Sequence, residues 1–172
     1  MQGITIRPTT EADWAAIRAL RLEMLRDTPM AYAEHLADAE QLDKTEWRAR
    51  GRRGQSAGGA SLVAIDADGR WVGAMGVFIP DAATGPLLVG VYVAPSHRGR
   101  AAGVTDALLD AIESWAVGHG TTLRLHVHER NLRAQAFYVR RGYEPTGASE
   151  PHVLAPDERE LEMIRRLDRA SA

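Results

Sequence analysis

The chain has 172 residues, a formal net charge of -2 and no cysteine. It is long enough for one substantial core, and its composition excludes disulfide scaffolds, thiolate catalysis and cysteine-bound metals. The near-neutral balance argues against a polyanion, so nucleic acid is not an expected partner. No stretch has the basic start and apolar core of a secretory signal or the length of a membrane span, so the expectation is a single cytoplasmic domain over residues 1–172 with no membrane partner.

Ile4 to Arg7 reads as a short strand, and Thr10 opens a helix to about Asp27 with Trp14, Ile17, Leu20 and Met24 at helical spacing. Pro29 breaks it. Met30 to Leu42 and Lys44 to Arg52 read as one or two further helices, and Gly51 to Gly59 as a polar, mobile loop. Ser61 to Asp66 and Trp71 to Ile79 flank Asp68-Gly69 and predict a hairpin, and Leu87 to Val93 is the next strand. That strand stops at Pro95, passes through a loop of arginine and small residues, and becomes an amphipathic helix near Gly103, with Val104, Leu108, Ala111, Ile112 and Trp115 as its apolar stripe.

Leu123 to His128 alternates as a strand, with Leu123, Leu125 and Val127 on one face and Arg124, His126 and His128 on the other. Asn131 caps a helix that Gly142 stops. A strand near Tyr143 to Thr146, a proline-containing connection and a final strand from Glu160 to Leu167 complete the chain.

The junction at residues 95–104 is the chemically telling part. A helix opening after glycines and other small residues presents unpaired N–H groups and the positive end of its dipole, which suits a phosphate. It has neither the Gly-Lys-Ser/Thr ending of a nucleotide P-loop nor dinucleotide spacing, so the expected guest is a phosphate of another cofactor.

Arg98-Gly-Arg-Ala-Ala-Gly103 resembles the pyrophosphate loop of the GNAT superfamily of acyl-CoA N-acyltransferases, which is written Arg/Gln-x-x-Gly/Ala-x-Gly/Ala with Val-x-Pro ahead. Ala101 stands where glycine is commonest. Asn131-Leu-Arg-Ala-Gln-Ala-Phe-Tyr-Val-Arg-Arg-Gly-Tyr143 resembles the same family's later helix. The resemblance implies an α/β fold: a mixed, mostly antiparallel central sheet of six to seven strands with helices on both faces, its fourth and fifth strands splayed for coenzyme A. It implies acetyl-CoA or another acyl-CoA as co-substrate, no metal, and transfer of a short acyl group to a primary amine of a small molecule or peptide. It places coenzyme A against Val91, Tyr92 and Val93, the loop residues Arg98, Gly99, Arg100, Ala101, Ala102 and Gly103, and Asn131, Phe137 and Tyr138, with a strand bulge at Gly90.

In such a family a neutral amine attacks the thioester, which calls for a base and for a proton donor to the leaving sulfur. Tyr138 matches the family's helix tyrosine and is the expected donor, with the adjacent Phe137 taking the core side of the helix. For the base, the Leu87 strand offers no carboxylate or histidine. His126 and His128, with Glu129 after them, compete with Glu160 and Glu162, and the resemblance also implies deprotonation through ordered water as an alternative. The acceptor pocket is expected from the first helices, the Gly51 loop and the connection around Glu150 to Asp157. A homodimer, a carrier-protein thioester as donor, and a non-catalytic acyl-CoA module stay open.

Overall fold

In the computed structural model, which describes residues 3–99 and 101–167, seven strands form one sheet. β1 (Thr5–Pro8), β2 (Gly59–Ile65), β3 (Trp71–Phe78) and β4 (Leu87–Val93) pair antiparallel in that order. β4 then lies parallel to β5 (Thr122–His128). On the far side β5 pairs antiparallel with β7 (Ala155–Arg166), and β7 with the edge strand β6 (Glu144–His152). The expected mixed, mostly antiparallel sheet is present, with its parallel joint between β4 and β5. Adjacent Val63 and Ala64 are both 0% exposed, and neighbours on a strand point to opposite faces, so both faces are covered.

α1 (Trp14–Asp27) follows a 3₁₀ turn at Glu11–Asp13, where Asp13 accepts from the Thr10 N–H at 2.7 Å and from Arg7 at 2.8 Å. α3 (Lys44–Arg52) occupies its predicted span, opened by a reciprocal cap between Asp43 and Glu46. α4 (Val104–Val117) packs on β2 and β3, burying Leu108, Leu109 and Ile112 completely. Each of those side chains contributes roughly 1.5–3 kcal/mol. α5 (Leu132–Arg140) is capped by the Asn131 side chain, which accepts from the Ala134 N–H at 3.2 Å.

Three expectations are corrected. The helix expected over residues 30–42 shrinks to a 3₁₀ turn at Pro29–Ala31 and α2 (Leu36–Gln41). Between them Tyr32 is extended, 6% exposed and tied through its hydroxyl to the Val91 carbonyl, a tertiary contact that overrides helical propensity. The loop expected to be mobile at Gly51 to Gly59 is instead the end of α3, a 3₁₀ turn at Arg53–Gln55 and the start of β2. Its glycines serve close approach: a Cβ on Gly51 or Gly54 would sit 2.2 or 2.3 Å from the carbonyl oxygens of Thr10 and Thr9.

The C-terminal strands are the third correction. They run as a long hairpin through Pro145, Pro151 and Pro156, where the sequence suggests a connection. Pro145 and Pro151 are tolerated because β6 is an edge strand, where a missing N–H costs no second ladder.

Candidate active site

β4 and β5 pair only at Leu87 with Arg124 and Leu88 with Leu125, and then part. The cause lies in β4. Between Ala74–Tyr92 and Gly76–Val89 the register of β3 advances two residues while β4 advances three, a bulge that Gly90 permits with φ of 60°. A Cβ on Gly90 would meet nothing within 4 Å, so the glycine is there for its backbone angle and not for tight packing. Beyond the bulge the Ala94 N–H returns to Val72, so alternation directs the backbone groups of Val91 and Val93 into the gap. Their carbonyls accept from the Tyr32 hydroxyl at 2.9 Å and from Arg98 Nε at 2.7 Å, while their N–H groups face the gap without a β5 partner. Tyr92 points the other way, 3% exposed, its hydroxyl donating to Glu23 at 3.1 Å.

The gap leads in sequence to the start of α4. Gly103, at φ 66°, occupies the N-cap position and has no side chain to satisfy the helix's first amides. The first intrahelical bond returns from Ala107 N–H to the Gly103 carbonyl at 3.0 Å, so the N–H groups of Val104, Thr105 and Asp106 project from the helix end. Gly99, at φ 103°, is a second left-handed glycine in this loop among the described residues. Arg98 does not aim its charge at this cradle: its guanidinium pairs with Asp27 at the end of α1 and lies 5.5 Å over the Tyr92 ring. Burial raises the Asp27 carboxyl, and the bonds from Arg98 and Thr28 outweigh it, so the net shift is downward. Arg100 lies outside the described residues.

A cleft of about 900 Å³ opens beside the bulge, lined by Leu88, Val89 and Gly90 of β4, by Met75 and Val77 of β3, by His126 and Glu160, and by Arg21, Glu34, Arg50 and Arg53 from the helical side. The two imidazoles that share a face of β5 part company here. His126 is 28% exposed at its side chain, with Nδ1 2.9 Å from Glu150 and Nε2 3.7 Å from Glu162. The His128 side chain is 0% exposed and both of its nitrogens are engaged: the Arg130 N–H donates to Nδ1 at 3.2 Å, and Nε2 donates to Glu158 at 2.6 Å. Glu162 bonds Thr146 at 2.8 Å and pairs with Arg124. Burial pushes its carboxyl up, but these partners hold it below the usual carboxylate range. Glu129 is spent on the backbone, accepting from the Arg159 N–H at 2.8 Å. His126, Glu150 and Glu160 bring one ligand atom each within 4.8 Å of one another, close enough to share a cation.

The packing expected of the aromatic pair on α5 is reversed. Tyr138 is 6% exposed and stacks edge-on against Phe137 and Tyr143, while Phe137 is half-buried under Arg140. The hydrophobic stripe of α5 includes Tyr138 because Ala134 and Tyr138, four residues apart, share one face. Burial pushes the Tyr138 hydroxyl's pKa well above the ordinary range.

Of the elements expected to form the acceptor pocket, the first helix and the residue 51–59 segment do line the cleft; Glu150 stands behind two lining residues, His126 and Glu160. Tyr32 and the Arg21, Glu34, Arg50 group carried no sequence signal, since their partners are 13 to 59 residues away.

A model described as the acetyltransferase (GNAT) family matches residues 17–143. A mycothiol acetyltransferase from Beutenbergia cavernae is 37% identical over 86 residues, covering 49% of this chain and 28% of that protein. The chain thus aligns with little more than a quarter of that relative's length. Among solved structures, the acetyltransferase YncA from Salmonella typhimurium, determined with acetyl-CoA, has a TM-score of 0.76 at 22% identity over 99% of this chain and 98% of its own. The PaiA N-acetyltransferase of Thermoplasma acidophilum, in complex with coenzyme A, gives 0.75 at 20% over 96% and 99%. Both likenesses concern the fold.

Proposed function

The chain belongs to the acetyltransferase (GNAT) family, and we propose that it moves an acetyl or other short acyl group from acyl-CoA to a primary amine of a small molecule or peptide by direct attack. The observation that carries this reading is the parting of β4 from β5 after Leu88, followed along the chain by the uncapped helix start at Gly103. The open edge offers the Val91 and Val93 amides to an amide-bearing arm. The helix start offers further amides and the dipole's positive end to a pyrophosphate. Both backbone devices fit coenzyme A, whose thioester supplies the activated acyl group.

The chain's side chains divide the proton work. His126 is the base, because it faces the cleft and His128 does not. Glu150, at hydrogen-bond distance from Nδ1, favours the proton there over Nε2, whose neighbour Glu162 is 3.7 Å away, so Nε2 is the nitrogen offered to the amine. Glu162 positions this imidazole from across the strand pair, and His128 holds the β5 end through Glu158. Tyr138 belongs to the same buried core as Tyr32, whose hydroxyl marks the gap edge at Val91. Its raised pKa keeps the hydroxyl protonated, so it donates a hydrogen bond to the departing sulfur. Full transfer to a thiolate, whose conjugate thiol has an ordinary pKa of about 8.5, would be uphill.

Turnover with acetyl-CoA across a panel of amines tests the activity, and stoichiometric release of free thiol with acylated amine is the expected result. Tyr138→Phe should then lower kcat by about 10²-fold while leaving coenzyme A affinity unchanged. Coenzyme A binding without turnover of any amine would overturn the acetyl-CoA reading, and activity restored by an acyl-carrier-protein thioester would move the donor to that class.

A further inference from the structure

The cleft carries more positive charge than its own carboxylate on that side neutralises. Glu34 accepts from Arg21 Nε at 2.8 Å and from Arg50 at 2.6 and 3.1 Å. Each of these arginines is also held by an aromatic face, Arg21 over Tyr32 and Arg50 over Trp47, both at 4.7 Å. Two guanidinium groups therefore share one carboxylate in fixed positions. Arg53, one turn beyond Arg50, lines the same cleft and, among the described residues, has neither an ion-pair partner nor a side-chain hydrogen bond. Partial burial, then Arg50 and Arg21, push its pKa below the ordinary value against the opposing pull of Glu34.

The same cleft presents the opposite chemistry at His126 and Glu160, which suit an amine. A ligand satisfying both must be bifunctional. A guanidinium fork in a concave, partly apolar site is the standard partner of a planar oxyanion, and two neighbouring arginines held in place reinforce it. A neutral or polycationic amine would leave this charge unmatched or be repelled by it.

We propose that the acceptor is a small amino-acid-like amine, whose carboxylate or equivalent acid group docks on Arg53 beside Arg50 and Arg21 while its amine faces His126. This rests on the acyl-transfer reading above and names the substrate class for it. The chemistry is unchanged: the amine nitrogen forms the new amide bond, the carbon–sulfur bond breaks, the amine's proton goes to the base, and the acid group takes no part beyond binding.

The experiment uses matched sets at saturating acetyl-CoA: several amino acids, each with its carboxamide and its decarboxylated amine. The acids should be preferred by at least about tenfold in kcat/KM. Arg53→Gln should raise KM for the acids by about tenfold with kcat little changed, leave the carboxamides unaffected, and be partly rescued by Arg53→Lys. The variant's melting temperature and coenzyme A affinity should match the parent's, since the Arg53 guanidinium has no side-chain partner among the described residues. Preference for the neutral or decarboxylated amines, an equal effect of Arg53→Gln on acids and carboxamides, or weakened coenzyme A binding would each overturn the proposal while leaving acyl transfer standing. Failure to acylate any member would bring down the acyl-transfer reading, and the substrate class with it.

Discussion

The two halves of the cleft are built from different materials. On the side proposed for the donor, the groups offered are backbone: the Val91 and Val93 amides at the open strand edge and the first amides of α4, set by the positive φ of Gly90, Gly99 and Gly103. Even its described arginine, Arg98, is turned away to Asp27. On the side proposed for the acceptor, side chains do the work, as the Arg21–Glu34–Arg50 group, Arg53 and the His126 wall show. A backbone cradle binds any ligand with the right oxygens and survives substitution of its side chains, whereas a side-chain pocket changes its guest with each exchange. One protein can thus keep a fixed donor and a changeable acceptor.

The largest effect should come from breaking the backbone half. Gly103→Asp puts a carboxylate at the dipole's positive end, where it occupies and repels the phosphate site. Coenzyme A affinity should fall by at least about 10²-fold by calorimetry, and stability by only about 1 kcal/mol for a non-glycine residue at positive φ. Unchanged affinity in a folded protein would remove the loop from donor binding.

Next in size is the contrast within one strand. His126→Asn should lower kcat by about 10²-fold and leave the melting temperature within a degree or so. His128→Ala should instead lower the unfolding free energy by about 2 kcal/mol in denaturant titration, because it opens a cavity and leaves the Arg130 amide without its acceptor. Loss of activity in a stable His128 variant, with parental activity in His126→Asn, would exchange their roles.

The smallest effect sharpens the scaffold on the acceptor side. The bond from Arg7, reinforced by the Thr10 amide against a modest burial penalty, lowers the Asp13 pKa from its ordinary 3.8 to about 2. Because the folded pKa is depressed, the pair's stabilisation is fully present above pH 3.8 and is lost as the pH falls through about 2. Discounted for solvent screening, it amounts to about 1 kcal/mol. Asp13→Asn should flatten the acid limb of the stability curve by that amount, as read by thermal melting at pH 2 to 5. An unaltered limb would assign acid sensitivity to other carboxylates.

What could be read along the chain divides the same way as the cleft. Strand alternation gave β4 its bounds and β5 to within one residue. Asn131 and Gly142 marked the limits of α5, and the small-residue run before Val104 announced the start of α4, since these are local rules acting over a few residues. The reading failed where a distant partner decided. Tyr32 left its expected helix for Val91, Tyr138 and Phe137 exchanged faces because Tyr143 and the core claimed the tyrosine, and prolines sat inside β6 because that strand ended up at an edge.

The sequence by itself determined the family and the strand-and-helix order around the start of α4, because glycine conformation and helix-end signals are properties of adjacent residues. Only the tertiary structure decided that His126 faces the cleft while His128 is locked to Glu158, and that Arg53 stands beside an over-subscribed Glu34. A side chain's charge is fixed by its own identity, but its partners are fixed by packing between elements far apart in the chain.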